Sequence, residues 1–299
     1  MPHHHTLPRR LSTALVATTV AAVLALSGCT GQPQPQPTNA GGLTESNLTY
    51  REVDGEKLGM DACLPADGDG AAPAVILLHG GGFVEGNRSS SGMDDLCVWF
   101  AEHGYAAFPT SYRLVPDYTY PSQVEDVAAA VQYLRDPAQV EELGIDPARI
   151  GVLGSSAGAI IALQAAMAGE GALDQGSRLG AVVSLSGVAD MSEDAVDLGE
   201  PSPEAVSLML AYLGCRAITS CEGEAASPLT QTDPTDPPAL LVASQHDLVP
   251  VEQAEVLDSA LTAEGVPHEL IVLLGSGHGS QLLTEKVRGS ILTFLSDHL

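Results

Sequence analysis

One serine in this sequence lies in a motif that could make it a nucleophile. Ser156 is the central serine of Gly154-Ser155-Ser156-Ala157-Gly158, which fits the pattern G-x-S-x-G. This pattern is typical of a sharp turn between a strand and a helix, and the turn exposes the serine hydroxyl. We therefore predict that Ser156 is a catalytic nucleophile and that its neighbour Ser155 is structural. The alternative is that Ser156 only caps a helix N-terminus.

His278 is the candidate base for this nucleophile. A serine hydroxyl reacts poorly near neutral pH unless a base lies beside it. Of the 9 histidines, His278 lies in the glycine-rich segment at 275–279, directly after an apolar run at 270–274. Glycines allow a short loop to carry the imidazole inward. The remaining histidines of the C-terminal two thirds are expected to be surface or structural residues: His103, His246, His268 and His298.

Asp247 is the candidate acid that would orient the imidazole and stabilise its charged form. It follows an apolar run at 240–243. The chain order of nucleophile, acid and base is then Ser156, Asp247 and His278, which is the order found in α/β-hydrolases. Because the chain has 38 acidic residues, a solvated carboxylate is the alternative for Asp247. Two other acidic residues are kept as fallback candidates, Glu252 and Asp236.

A run of glycines after another apolar segment could stabilise an oxyanion. His79-Gly80-Gly81-Gly82-Phe83 follows the run at 75–78. Backbone amides that no Cβ crowds can converge on a developing negative charge. We predict oxyanion donors at the amides of Gly81, Gly82 and Ala157, and a structural role for His79. The alternative is a glycine turn without a catalytic role.

Short apolar runs alternate with helical patterns from residue 50 onward, and this alternation predicts a mostly parallel sheet covered by helices on both faces. Such sheets place their sites at the carboxyl ends of strands, where the residues above fall. The predicted strands are 75–78, 106–108, 150–153, 181–185, 240–243 and 270–274. The predicted helices are 93–103, 124–134, 157–167, 251–263 and 281–294.

Residues 190–238 interrupt this alternation, since they are acidic, rich in proline and contain two cysteines. We interpret them as an insertion above the sheet that forms a small lid. The alternative is a long surface excursion with no role at the site.

The N-terminal segment has the features of an export signal. Arg9 and Arg10 precede an apolar stretch at 11–26 that ends in Leu-Ser-Gly-Cys29, and a positive region, an apolar region and small residues define such signals. This ending resembles a bacterial lipobox, which predicts a signal peptide at 1–28, lipid attachment at Cys29, a Pro/Gln/Gly-rich tether at 29–42 and a folded domain at 43–299. The alternative is an ordinary signal peptide with a chance cysteine. We expect a location on the outer face of a bacterial membrane.

Four cysteines follow Cys29, and an even number in an exported protein favours disulfides. Cys215 and Cys221 would close a short loop, which leaves Cys63 and Cys97 as the second pair. The alternative is four free buried thiols. No CxxC spacing of zinc sites is present, so no structural metal is expected.

The charge of the chain excludes some partners. With 12 Lys+Arg against 38 Asp+Glu, the formal net charge is −26. Nucleic acid binding needs a basic patch, and adhesion to anionic lipids needs a polybasic segment. We expect neither.

Several ordered motifs from about Tyr50 onward resemble bacterial α/β-hydrolases of the carboxylesterase kind, nearest the acetylesterase and feruloyl-esterase-like branch beside the hormone-sensitive-lipase group. The motifs are GMDACLP at 59–65, HGGGF at 79–83, SYRL at 111–114, GIDPARI at 144–150, GSSAG at 154–158, HDLVP at 246–250 and GSGHG at 275–279.

The resemblance implies an α/β-hydrolase fold and a serine hydrolase that cleaves carboxylic esters of short acyl chains. It assigns the nucleophile, acid and base to Ser156, Asp247 and His278, with no cofactor. Two other functions remain open, a serine peptidase of the prolyl-oligopeptidase type and a non-catalytic ligand-binding lipoprotein. The sequence does not indicate an oligomeric state.

Overall fold

The computed structural model describes residues 42–66 and 71–299. The predicted signal peptide at 1–28, the predicted lipid site Cys29 and the predicted tether up to residue 41 lie outside these residues. None of the helices in the described part of the chain has the length and apolar character needed to cross a membrane.

The described residues form one sheet of eight strands in the order β1-β2-β4-β3-β5-β6-β7-β8. Strands β3 to β8 pair in parallel, whereas β1 and β2 form an antiparallel pair at one edge. The predicted mostly parallel sheet is therefore confirmed. The strands are β1 Gly42–Val53, β2 Glu56–Leu64, β3 Ala72–Leu78, β4 Ala106–Thr110, β5 Ile145–Ser155, β6 Ala181–Leu185, β7 Ala239–Ser244 and β8 His268–Leu273.

Helices cover both faces of the sheet. Helices α2, α4 and α7 contribute to the larger apolar core, and α1 and α8 contribute to a second core on the other face. Every residue of α4 is buried, because its sequence is apolar on all sides. The helices are α1 Met93–Glu102, α2 Ser122–Arg135, α3 Pro137–Leu143, α4 Ala157–Met167, α5 Pro203–Leu213, α6 Pro228–Gln231, α7 Glu252–Glu264 and α8 Glu285–His298.

The last helix begins later than the pattern predicts. Residues Gly279–Leu282 form a short 3-10 helix, and α8 starts only after Thr284, whose hydroxyl accepts a hydrogen bond of 3.3 Å from the Val287 amide. This cap satisfies an amide that would otherwise lack a partner. The 3-10 turn directly follows His278, so the late start of α8 leaves this candidate base in a loop.

The insertion at 190–238 contains α5 and α6 and packs onto the rest of the fold. The ring of Tyr212, at the end of α5, stacks on Phe83 with 4.0 Å between ring centroids. The Tyr212 hydroxyl donates a hydrogen bond of 2.5 Å to Gln164 Oε1 on α4. The insertion is thereby held against the HGGGF segment and the helix that follows Ser156.

Both cysteine pairs favoured by the sequence are disulfides in the structure. Cys63 on β2 joins Cys97 on α1, with 5.6 Å between their Cα atoms. Cys215 and Cys221 close the loop after α5, also with 5.6 Å between Cα atoms. The first disulfide ties a sheet strand to the helix packed on it, and the second closes a turn within the insertion.

Candidate active site

The turn that carries Ser156 is strained and needs glycine on both sides. Strand β5 ends at Ser155 and α4 begins at Ala157, so Ser156 alone makes the turn, with φ 54° and ψ −120°. A positive φ is unfavourable for a residue with a Cβ. A methyl group at Gly154 would meet the backbone of Gly158, and one at Gly158 would meet the carbonyl of Leu78. The two glycines of the motif therefore allow the strand and helix to approach closely enough to form the turn.

The three side chains singled out in the sequence form one hydrogen-bonded chain. Ser156 Oγ lies 2.7 Å from His278 Nε2, and His278 Nδ1 lies 2.5 Å from Asp247 Oδ1. A carboxylate can only accept hydrogen bonds, so Nδ1 of His278 carries a hydrogen and donates a hydrogen bond to Asp247. Nε2 is then free to accept a hydrogen bond from the serine hydroxyl. The residues follow β5, β7 and β8, whose carboxyl ends meet at one edge of the sheet.

Neither fallback acid lies in this chain of hydrogen bonds, because the two ring nitrogens of His278 pair with Ser156 and Asp247. Glu252 begins α7. Asp236 precedes β7, and Asp247 follows it, so the two aspartates lie at opposite ends of one strand.

The buried position of Asp236 leads to a prediction about stability. Its Oδ1 atom has no hydrogen-bond partner among the described residues, and burial raises the pKa of Asp236 from 3.8 to about 6. Between these two pH values the unfolded chain has lost the proton that the folded chain keeps, so this group makes stability fall as pH rises through the window. We expect Asp236→Asn to remove that fall when unfolding midpoints are measured from pH 4 to 8. An unaltered pH profile of stability would contradict the assignment.

The HGGGF segment forms a tight loop beside Ser156. Gly81 and Gly82 have φ of 124° and 58°, and the Gly81 carbonyl accepts from the amides of Val84 and Glu85 at 3.1 and 3.2 Å. Within the described residues, no acceptor is paired with the amides of Gly81, Gly82 or Ala157. Gly82 and Ala157 line the same pocket as Ser156. Their free amides are available to a negatively charged oxygen there.

The contacts of His79 hold the HGGGF loop in its conformation. Its Nδ1 donates 2.7 Å to the Gly80 carbonyl, and its ring stacks on Tyr112 at 4.3 Å. The Tyr112 hydroxyl in turn donates 2.7 Å to the His79 carbonyl. Burial lowers the pKa of His79, so the imidazole is neutral near neutral pH. These contacts are those of a residue that shapes the loop.

A small apolar pocket opens above Ser156. Its volume is about 80 Å³, roughly half of the 150 Å³ of an engineered cavity that holds benzene. The insertion supplies much of the wall, so residues 190–238 contribute directly to the site. Pocket-lining residues from this insertion include Met191, Ala195, Pro201, Ala205, Val206, Leu208 and Met209.

The structure places one further side chain, Ser186, in the site, and the sequence pattern does not single it out. The hydroxyl of Ser186, the residue directly after β6, donates 2.5 Å to Asp247 Oδ2 and accepts 2.8 Å from the Gly279 amide. The only sequence signal is a serine at the carboxyl end of a predicted strand, which many structural serines share. No cluster of three or more metal-ligating side chains occurs among residues 42–66 and 71–299.

Comparison with solved structures identifies the fold. A truncated form of a carbohydrate esterase from gut microbiota superposes with a TM-score of 0.73 and 20% identity, over 86% of this chain and 99% of that one. A thermophilic esterase of Thermogutta terrifontis with bound butyrate gives a TM-score of 0.69 and 24% identity, over 86% and 94% of the two chains. These likenesses confirm the predicted α/β-hydrolase fold.

Comparison with characterised sequences gives shorter matches. Arylacetamide deacetylase of Bos taurus is 42% identical over 89 residues, which are 29% of this chain and 22% of that protein. Ethyl acetate hydrolase of Pseudomonas putida is 35% identical over 120 residues, 39% of this chain and 36% of that protein. The matches thus span between a fifth and two fifths of each relative's length.

The profile of one family matches residues 60–261. Since that is more than half of the chain, this protein belongs to the BD-FAE family.

Proposed function

We propose that this protein is a serine hydrolase of carboxylic esters. The observation that carries the proposal is the chain of hydrogen bonds from Ser156 through His278 to Asp247, with distances of 2.7 and 2.5 Å. Free amides and an apolar pocket adjoin the serine. This combination of nucleophile, base, acid and oxyanion donors is what acyl transfer requires.

The first half of the reaction forms an acyl-enzyme. His278 Nε2 takes the proton of Ser156 as Oγ attacks the ester carbonyl carbon. The carbonyl π electrons move to the oxygen, which becomes an oxyanion beside the amides of Gly82 and Ala157. When the oxyanion collapses, the bond to the alkoxy oxygen breaks, and His278 gives its proton to the leaving alcohol.

The second half releases the acid. Water enters in place of the alcohol, loses a proton to His278 and attacks the acyl carbon. Collapse of this second intermediate breaks the bond to Ser156 Oγ, which recovers its proton from His278. Asp247 stabilises the imidazolium in both halves and stays ionised. The products are a carboxylic acid and a free enzyme.

We propose short acyl chains as substrates because the pocket is small and its walls are apolar. An apolar wall binds an acyl chain by the area removed from water, while a volume of about 80 Å³ leaves room for only a few carbons. The butyrate bound to the Thermogutta terrifontis esterase supports this acyl length.

Leu208 on α5 should set the acyl-length limit. A methyl group at Gly82 would lie 3.0 Å from Leu208 Cδ1, so this side chain lies against the predicted oxyanion loop. We expect Leu208→Ala to raise the ratio of kcat/KM for p-nitrophenyl octanoate to that for the acetate about 10-fold, since each extra buried methylene adds binding energy. Leu210→Ala, on the same helix but away from the pocket lining, is the control. An unchanged ratio in Leu208→Ala would place the acyl chain elsewhere.

Assays with the unmodified protein separate the proposed function from the two alternatives. We expect burst kinetics on p-nitrophenyl acetate and turnover of short-chain esters. Turnover of aminoacyl-naphthylamides without ester hydrolysis would point to a peptidase. Absence of both activities, with no labelling by a fluorophosphonate, would point to a ligand-binding protein.

We further propose export and lipid attachment at Cys29. The proposal rests on the lipobox-like Leu-Ser-Gly-Cys ending of the apolar segment. Two disulfides support it, because disulfides persist in oxidising compartments. In a bacterial host fed with labelled palmitate, the unmodified chain should take up label and enter the detergent phase. Cys29→Ser should do neither; equal labelling of both would refute the assignment.

A further inference from the structure

One hydroxyl in the site contacts both the acid and the loop that carries the base. Ser186 Oγ donates 2.5 Å to Asp247 Oδ2 and accepts 2.8 Å from the backbone amide of Gly279, the residue after His278. Ser186 is 2% exposed. It is not among the described residues that line the pocket above Ser156. It therefore acts on the site without meeting a substrate.

The hydrogen bonds of Asp247 show what the hydroxyl contributes. Oδ1 accepts from His278 Nδ1 at 2.5 Å and from the Val249 amide at 3.3 Å, while Ser186 donates to Oδ2. The Asp247 side chain has no exposed area, so water cannot easily replace a lost donor. A buried carboxylate oxygen without a donor is costly, and the carboxylate would rotate to find one. That rotation would move Oδ1 away from the imidazole.

The backbone at Ser186 is strained in a way that suits this role. Its φ is 61°, a region that disfavours residues with a Cβ. The Ser186 amide nevertheless donates 2.9 Å to the Val242 carbonyl on β7, the strand that leads to Asp247. Strained residues of this kind occur at functional sites, where their conformation serves the mechanism.

We propose that Ser186 is a positioning residue that fixes the Asp247 carboxylate relative to His278. By holding Oδ2 and the Gly279 amide together, one hydroxyl sets the distance between the acid loop after β7 and the base loop after β8. The inference rests on the proposed ester hydrolysis, and it assigns Ser186 a role in the rate of acyl transfer.

Two single variants separate the hydroxyl from the backbone strain. Ser186→Ala removes the hydroxyl and keeps the strain, whereas Ser186→Gly removes both, because glycine accepts a positive φ. We expect kcat on p-nitrophenyl acetate to fall about 10–100-fold in both, the same range as when a metal-ligating histidine loses its outer hydrogen-bond partner. KM should change less than about 3-fold, since no substrate contact is removed. As a control, the unfolding midpoints of both Ser186 variants are measured to check that each variant is folded under the assay conditions.

A double-variant cycle distinguishes positioning from a merely structural role. If Ser186 acts through Asp247, Ser186→Ala should cost less than about 3-fold in an Asp247→Ala background, because there is no carboxylate left to orient. Equal losses in the two backgrounds would overturn the proposal. So would full activity of both Ser186 variants. An unmodified protein without ester hydrolysis would instead refute the proposed function, so the two failures are distinguishable.

Discussion

Ser156→Ala should lower kcat for p-nitrophenyl acetate by about 10⁴-fold or more, since loss of a triad nucleophile elsewhere costs on the order of 10⁶. The variant loses the only atom that could carry the acyl group in the proposed reaction, and the burst of p-nitrophenol should vanish with it. Alanine at this position removes a single oxygen atom, so the fold and the unfolding midpoint should be retained.

Ser155→Ala provides a matched control for this loss. Ser155 is the preceding residue, is 2% exposed and belongs to β5 rather than to the turn. The same loss of one hydroxyl there should leave kcat within about 3-fold. If Ser156→Ala hydrolyses the ester at the rate of the unmodified enzyme, Ser156 is not the nucleophile.

Asp247→Asn should lower kcat by about 10⁴-fold, through the tautomer of His278. The Ser186 hydroxyl donates to Oδ2, because an ionised carboxylate can only accept, and the same hydroxyl accepts from the Gly279 amide. An asparagine would therefore keep its oxygen toward Ser186 and turn its NH₂ group toward His278 Nδ1. The imidazole would then carry its proton on Nε2 and could not accept one from Ser156.

The same substitution at Asp236 is the control, because Asp236 lies at the opposite end of β7. We expect Asp236→Asn to retain full ester hydrolysis. In pH–rate profiles of kcat/KM, Asp247→Asn should stay slow at every pH where the protein is folded. Activity of Asp247→Asn within about 10-fold of the unmodified enzyme would mean that another group orients His278.

The elements that carry the site could be predicted because their sequence signals are local. The apolar run before Ser156 and the apolar helix after it lie within one short segment, and its two glycines are required by close contacts of the turn. His278 and Asp247 each follow an apolar run, and parallel strands bring such positions to one edge of a sheet. The strand and helix pattern therefore sufficed to place all three residues near one another.

The sequence pattern does not predict the antiparallel edge of the sheet, because charged residues interrupt the apolar alternation there. Asp61 lies in the middle of β2 and is 6% exposed, and its carboxylate accepts 2.8 Å from Arg88 Nε. This partly buried ion pair joins residues distant in sequence, so the apolar periodicity of β2 alone does not reveal the strand.

A similar pairing changes the buried face of α2. In the helix predicted at 124–134, the spacing of the apolar residues would place Ala128 on the buried face, yet Ala128 is half-buried and Asp126 is fully buried. Asp126 accepts 2.6 Å from Arg51 Nη1 and 2.9 Å from Arg113 Nε. The guanidinium groups make burial of this carboxylate possible, and only the tertiary structure shows them.

The most direct test of the central claim is to locate the covalent adduct formed with an alkyl fluorophosphonate. Attack by Ser156 Oγ forms a bond to phosphorus, releases fluoride and passes the serine proton to His278. Intact-protein mass spectrometry should show one adduct per chain, and peptide mapping should place it on Ser156, with none in Ser156→Ala. An active enzyme that carries the adduct on another residue, or that stays unlabelled, would contradict the account.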